Sequence, residues 1–154
     1  MKQIEINSEA WTSLFEEIRD NFGDGTLIPH RWLKSKFFFE KLNKDDFQST
    51  EDFIEAIQMQ QFAYLTLVDT LRWQLLEDEK MYLKNVRGDG YIILKSSEQV
   101  QYGYNSFIAD FKKAAKEANL IMTNVRNVNS EQQFKDNDLR AKMALLSQMV
   151  KNIK

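Results

Sequence analysis

The side chains of this sequence that could perform chemistry are few. His30 is the single histidine, and there is no cysteine. A thiolate nucleophile, a disulfide, a cysteine-ligated metal and a two-histidine metal site are therefore excluded. His30 follows Pro29 at the predicted start of a helix, where a histidine more commonly caps or packs than catalyses. No nucleophile-elbow motif is present to complete a Ser-His-Asp arrangement.

Carboxylate pairs are the remaining candidates for metal binding: Glu16-Glu17, Asp45-Asp46 and Glu51-Asp52. Residues adjacent in sequence point to different sides of a helix, so such a pair does not converge on one ion. The Gly-x-Gly segments at Gly23 and Gly88 lack the further glycine and the Lys-Ser/Thr of a phosphate loop. The sequence therefore predicts no enzyme, no metal site and no cofactor.

A helix that runs directly into a basic β-hairpin is the most informative segment. The two strands are predicted at 81–86 and 91–95, which are rich in β-branched and aromatic residues. Gly88-Asp89-Gly90 lies between them and can supply the positive φ that a tight turn requires. Two strands alone are marginally stable, so we expect the hairpin to lie on a helical body.

Residues 68–92 resemble the end of the DNA-binding domain of OmpR-type response regulators. The matching residues are Leu71-Arg72, Leu75, Val86-Arg87-Gly88 and Gly90-Tyr91. In that family a recognition helix with an L-R-x-x-L core leads into a wing that reads roughly T-V-R-G-x-G-Y. The resemblance covers 25 of the 154 residues. The family's hairpin usually ends its chain, whereas a long segment follows the hairpin here.

The resemblance implies a winged-helix unit that binds DNA. Carried over residue by residue, it implies that Arg72 points toward a groove of the duplex. It also implies that Lys84, Arg87 and Lys95 meet phosphates. The alternative is that residues 87–90 are simply a favourable turn between two strands.

The C-terminal half supplies a second group of cations. Lys112, Lys113 and Lys116 form a patch at helical spacing that could track a phosphate backbone or hold an acidic protein. An apolar stripe recurs at intervals of four, three, four and three: Leu139, Met143, Leu146, Val150 and Ile153. This stripe fits either an intramolecular core or a homodimer through the C-terminal helices.

The net charge of −2 conceals two halves of opposite sign. Residues 1–80 carry nine Lys/Arg against sixteen Asp/Glu, whereas residues 81–154 carry twelve against seven. The basic half could attract a polyanion that the acidic half repels. The alternative is the ordinary unevenness of solvated helix surfaces.

Five helices are predicted from the spacing of apolar residues, at about 8–22, 29–42, 50–77, 97–125 and 130–152. Ser49 with Asp52 is expected to cap the third helix. Capping boxes at Ser96 and Ser130 are expected to begin the last two. The run Phe37-Phe38-Phe39 is apolar on all sides of its helix and is expected in the core.

These elements predict a mainly α protein. We expect a single, five-helix, bundle-like domain with one central β-hairpin, winged-helix-like, and a C-terminal antiparallel helical hairpin. Residues 1–95 would form the helical body and residues 96–154 the extension. The N-terminus lacks a signal-peptide pattern and no segment approaches a membrane span, so we expect a cytoplasmic protein without a membrane partner.

The sequence therefore predicts a non-enzymatic binding protein. The favoured function is a DNA-binding or other nucleic-acid-binding regulator or accessory factor, which uses the hairpin and the basic C-terminal half. The alternative is a small inhibitor or adaptor, of the kind that phages encode, which binds a larger host protein complex through the acidic N-terminal half.

Overall fold

Five α-helices and three short strands make up residues 3–152, the part of the chain that the computed structural model describes. The elements are α1 (Glu9–Asn21), β1 (Leu27–Pro29), α2 (His30–Lys36), a 3-10 helix (Lys44–Asp46), α3 (Thr50–Glu79), β2 (Leu83–Val86), β3 (Gly90–Ile93), α4 (Ser96–Thr123) and α5 (Ser130–Lys151). The prediction of a mainly α protein with a central hairpin is confirmed. None of these helices has the length and apolar content needed to cross a bilayer.

The chain divides into two units, Met1–Gln99 and Val100–Lys154. The fifteen buried apolar residues of residues 3–152 all belong to the first unit. The second half of α3 is central to this core, since it buries Tyr64, Leu67, Val68, Leu71 and Leu75. Removing apolar surface from water is the main stabilising term of a fold, so this unit is held together by its own interior.

The sheet has the order β1-β3-β2 and is antiparallel throughout. β1 is not predicted from the sequence, because three residues carry too little alternation to identify a strand. It forms by pairing Leu27 with Ile92 and Pro29 with Gly90 along the free edge of β3. The first unit thus combines α1, α2 and α3 with a small antiparallel sheet.

The two glycines of the hairpin are required for different reasons. Gly88 has φ +84° and lies in the turn, as predicted, with open space around its Cα. Gly90 has φ +154°, and a Cβ built on it would lie 2.0 Å from the carbonyl oxygen of Ile28. The absence of a side chain at Gly90 is therefore what allows β1 to pair with β3.

The second helix ends six residues earlier than expected, at Lys36 rather than near residue 42. The backbone N–H groups of Phe37 and Phe38 donate to carbonyls of the last turn, and Phe38 has φ +62°. Of the three phenylalanines, only Phe37 is buried, whereas Phe38 is exposed. The apolar run is thus a turn that ends the helix, not a continuous core helix.

The second unit is an antiparallel helical hairpin in which residues 124–129 join α4 to α5. Arg140 Nε of α5 donates to the carbonyl of Met122 on α4 at 2.9 Å. Asn129, rather than the predicted Ser130, caps α5 by accepting from the N–H of Gln132. Ile153, the last position of the predicted stripe, lies outside the described residues.

The first turn of α4 is capped from a distance. Ser96 is the first helical residue, and the Oδ2 of Asp24 accepts from its N–H at 3.3 Å and from its hydroxyl at 3.4 Å. The sequence predicted a local capping box of Ser96 with Gln99 instead. A capping residue 72 positions away cannot be recognised from local spacing.

Candidate nucleic-acid interface

A cleft of about 560 Å³ lies between α2, α3 and the β2–β3 hairpin of the first unit. Its charged lining side chains are Lys34 of α2 and Arg87 of the hairpin turn, and His30 lies beside them. No carboxylate lines it among the residues that the structure describes. The cleft is therefore a place where positive charge from two separate elements converges.

The fold fixes the hairpin turn against the start of α2. His30 is the first residue of α2 and directly follows β1. Its backbone N–H donates to the carbonyl of Asp89 at 3.1 Å. Because Pro29 also pairs with Gly90, Arg87 projects from a turn that is anchored on its α2 side.

His30 forms the floor of the cleft together with two tyrosines. Its Nδ1 shares a hydrogen bond of 2.8 Å with the Tyr64 hydroxyl, and its ring meets Tyr91 edge-on at 5.4 Å. Burial and the nearby Lys34 lower the pKa of His30 below its usual 6.5, against the opposing effect of Asp89. The imidazole is therefore neutral at pH 7.

Burial also raises the pKa of Tyr64, and the neighbouring Tyr91 adds to that rise. The pKa of Tyr91 is raised as well, chiefly by burial. Both phenols stay protonated at neutral pH and can donate hydrogen bonds. The floor of the cleft is thus aromatic and uncharged, with its cations at the rim.

The part of α3 that borders the cleft carries no charge. No Asp, Glu, Lys or Arg occurs between Glu55 and Asp69, and this stretch supplies Gln60 and Gln61 to the lining. The carboxylates of α3 are confined to positions 51–55, 69 and 77–79. Glutamine amides are suited to base edges, which present both donors and acceptors.

Arg72 does not line the cleft. Its Nε donates to the carbonyl of Leu83 at 3.0 Å, and its guanidinium lies 5.3 Å from the centre of the Tyr91 ring. Asp69 lies 3.9 Å away on the same helix. Arg72 thus joins α3 to the hairpin, and this structural role is sufficient to explain its contacts. The predicted contact of Arg72 with a DNA groove stays a prediction.

The other predicted cations are distributed around the molecule. Lys84 is exposed on β2, and since side chains alternate along a strand it lies on the opposite sheet face from the cleft residue Asn85. Lys95 is exposed just beyond β3. Of the hairpin cations predicted from the sequence, the cleft includes Arg87 alone.

The lysine patch of the second unit is exposed as the spacing predicts. Lys112 and Lys116 lie one turn apart on α4, with Lys113 beside them. No ion pair is formed by these three among residues 3–152. They remain candidates for a second anionic contact.

Of the twelve residues that line the cleft, sequence analysis assigned only Arg87 to a site, and the missed residues include Lys34 and His30. They are four residues apart on α2, a spacing that places both on one side of a helix. That spacing could have identified the pair from the sequence. The sequence does not predict that the hairpin turn packs against the start of α2, because this packing depends on strand β1.

Within the described part of the chain, no group of three or more His, Asp or Glu side chains is arranged to hold a metal ion. Comparison with models of known protein families, with curated protein sequences and with solved structures finds no match for this chain. The functional assignment therefore depends on the geometry of the cleft itself.

Proposed function

We propose that this protein is a non-enzymatic, nucleic-acid-binding regulator or accessory factor that holds duplex DNA at the cleft between α2, α3 and the hairpin. One observation carries the proposal: the charged groups that line the cleft are cations, drawn from α2 and the hairpin turn. No described carboxylate lines the cleft, and the nearest ones, Asp69 and Asp89, lie beside Tyr91 and His30.

In the proposed complex, Arg87 and Lys34 contact phosphates from the two sides of the cleft. Such contacts supply most of the affinity and position the protein on the duplex. The amides of Gln61 and Asn85, which line the same cleft, meet the sugar or the base edges. The hairpin acts as a wing through Arg87.

The test is a fluorescence anisotropy titration of the full chain with labelled duplex DNA over a series of salt concentrations. The double variant Lys34→Glu/Arg87→Glu is expected to lose binding. Arg87→Gln alone is expected to lower the slope of log K against log salt by about 0.9, which is the contribution of one phosphate contact.

Lys44→Glu is the matched control, because Lys44 is exposed and does not line the cleft. It should retain nearly the wild-type affinity. Absence of duplex binding by the wild-type chain at about 0.15 M salt would refute the proposal. Equal losses in the control and in the cleft variants would assign binding to overall charge.

A protein-binding inhibitor or adaptor is the second candidate, and exposed apolar residues on α3 favour it. Met59, Phe62 and Trp73 are 66%, 69% and 65% exposed. Their spacing places them within about 60° of one another around the helix axis. The α3 helix also begins with Glu51 and Asp52, so this surface combines apolar and acidic character.

Large exposed apolar patches commonly mark protein interfaces. This candidate predicts that a stoichiometric protein partner remains after nuclease treatment of a native lysate. It also predicts that Phe62→Ala/Trp73→Ala releases the partner, whereas Lys34→Glu/Arg87→Glu retains it. The DNA-binding proposal predicts the opposite pattern for duplex affinity.

A further inference from the structure

The helices of the second unit do not bury a single described residue. Several of their largest apolar side chains are more than half exposed, including Phe107, Ile121 and Leu146. Two helices alone can shield only one stripe each. A large apolar surface of this hairpin therefore faces water in the isolated chain.

On each helix, the stripe of residues that faces the other helix is half-buried. On α4 it includes Phe111, Ala115 and Met122, and on α5 it includes Arg140 and Met143. These positions recur at three and four along each helix, which is the spacing of one helix face. Several strongly exposed apolar residues lie beside this stripe, whereas Leu120, Phe134 and Leu145 lie on the far side of their helices.

Seven exposed apolar residues share one side of the hairpin, which we name the apolar face. It comprises Val100, Phe107 and Ile121 of α4, Val125 of the connection after α4, and Leu139, Leu146 and Met149 of α5. A shallow cavity of about 210 Å³ is lined by Ile121, Met122 and Val125 on one side and by Asp136, Leu139 and Arg140 of α5 on the other. The apolar face thus extends from one helix to the other at this end of the hairpin.

The apolar face is large enough to support a dimer. Its seven side chains are 49–84% exposed. Since a buried aromatic side chain removes about 150–250 Å² from water and aliphatic ones somewhat less, the face offers on the order of 700 Å². A standard stable interface buries about 800 Å² on each partner.

The charged borders of the face are complementary to each other. Helix spacing places Asp110 and Glu117 at the α4 border and Lys135 and Lys142 on the α5 side. Lys135 and Lys142 form exposed ion pairs within α5, with Glu131 and Asp138. Exposed pairs of this kind are weak, so they can exchange partners at little cost.

From this arrangement we propose that the apolar face binds a second copy of this chain, with α4 of one subunit packed on α5 of the other. If the two subunits are related by a two-fold axis parallel to the helices, the contact between α4 and α5 occurs twice. The four helices then form a four-helix bundle. Glu117 of each α4 then lies near Lys142 on the α5 of the other subunit. The alternative two-fold, α4 on α4, would juxtapose like charges.

The same geometry leaves the lysine patch outside the dimer. Lys112 and Lys116 lie about 140–180° around α4 from Phe107. They point away from the apolar face and stay exposed on both subunits. The dimer proposal does not rest on the DNA-binding proposal, because it uses none of the cleft residues.

The first test is the molar mass of the full chain in solution, measured by light scattering at micromolar concentration. The wild type is expected to be a dimer. Ile121→Glu/Leu139→Glu is expected to raise the dimer dissociation constant by about 100-fold or more, since two charges would be placed in an apolar contact.

Leu120→Glu is the matched control. Leu120 is 57% exposed and lies about 120° from the apolar face around α4. It should leave the dimer intact. A monomeric wild type would refute the proposal, and equal effects of Leu120→Glu and Ile121→Glu/Leu139→Glu would show that the apolar face is not the contact.

A charge exchange tests the arrangement without disturbing the apolar residues. The contact between Arg140 and Met122 shows which residues of the two helices lie at the same height along the hairpin. By this measure, Glu117 and Lys142 differ in height by less than about one helical turn. Glu117→Lys and Lys142→Glu should each weaken the dimer severalfold, and the double variant should restore it. If the double variant is as weak as the sum of the two single changes, α4 does not pack on α5 of the partner subunit.

Discussion

The two units of this chain contrast in where their apolar residues lie. The first unit encloses fifteen buried apolar side chains, among them Trp11, Phe37 and Leu71. The second contains helices as long as 28 and 22 residues, yet none of their described residues is buried. The longest helices of the two units, α3 and α4, have similar lengths of 30 and 28 residues. We therefore attribute the difference in burial to the number of elements that surround each helix.

This contrast teaches that helical periodicity identifies an apolar face without identifying what covers it. In α3, Leu71 is fully buried in the core of its unit, whereas Ile121 of α4 is 67% exposed. The first unit is expected to be stable by itself. The second is expected to gain its stability from association.

The largest effect that tests the contrast is a truncation in each unit. Leu71→Ala is expected to destabilise the first unit by about 2–5 kcal/mol, because it leaves a cavity in a packed core. Leu145→Ala, at a 60% exposed position of α5, is expected to change stability by less than about 0.5 kcal/mol.

Unfolding in urea separates the two units, because Trp11, Trp32 and Trp73 all belong to the first. Tryptophan fluorescence therefore follows the first unit, whereas far-ultraviolet circular dichroism follows the helices of both. An equal loss of stability in the two variants would contradict the contrast.

A second prediction distinguishes the two hairpin glycines. Gly90→Ala is expected to cost about 2–3 kcal/mol, since the new Cβ would collide with the Ile28 carbonyl at a strained φ. Gly88→Ala has the same kind of φ but open space around it, and about 1 kcal/mol is expected. Thermal unfolding followed by tryptophan fluorescence measures both. If the order is reversed, the pairing of β1 with β3 is not what makes Gly90 necessary.

The smallest predicted effect is a pH dependence confined to the first unit. The pKa of His30 is lower in the folded state than in the unfolded chain, so the unfolded chain binds the proton more readily. Stability is therefore complete above about pH 6.5 and falls as the pH drops through the unfolded value toward the folded one.

His30→Gln should flatten this dependence between about pH 7.5 and 5.5, a range in which the carboxylates stay ionised. Urea unfolding at the two pH values is the measurement. A dependence of opposite sign, or one that persists in His30→Gln, would show that another group is responsible.

Much of the fold could be predicted from the sequence because its signals are local. The apolar spacing of α1 and α3, the cap at Ser49 and the glycines of the hairpin each depend on neighbours within a few positions. These features are set by backbone geometry and by the burial of one helix face. The structure confirms each of them.

The rest depends on contacts between distant residues. The strand β1 exists because β3 offers it a free edge, and α2 ends early because Phe37 must enter the core. The cleft depends on both features, since β1 leads into His30 and α2 carries Lys34. Sequence analysis therefore found Arg87 but not the residues that stand across from it.

The anchoring of the hairpin turn has a consequence for the durability of the protein in a cell. A protease that cleaves after arginine must draw an extended stretch of substrate into its own active site. At Arg87 the neighbouring backbone is held by β1 and by the start of α2. Arg126 lies in the segment between α4 and α5, which has no regular secondary structure. Its backbone is not held by strand pairing. We therefore expect limited proteolysis to cleave the connection between the last two helices before the β2–β3 hairpin.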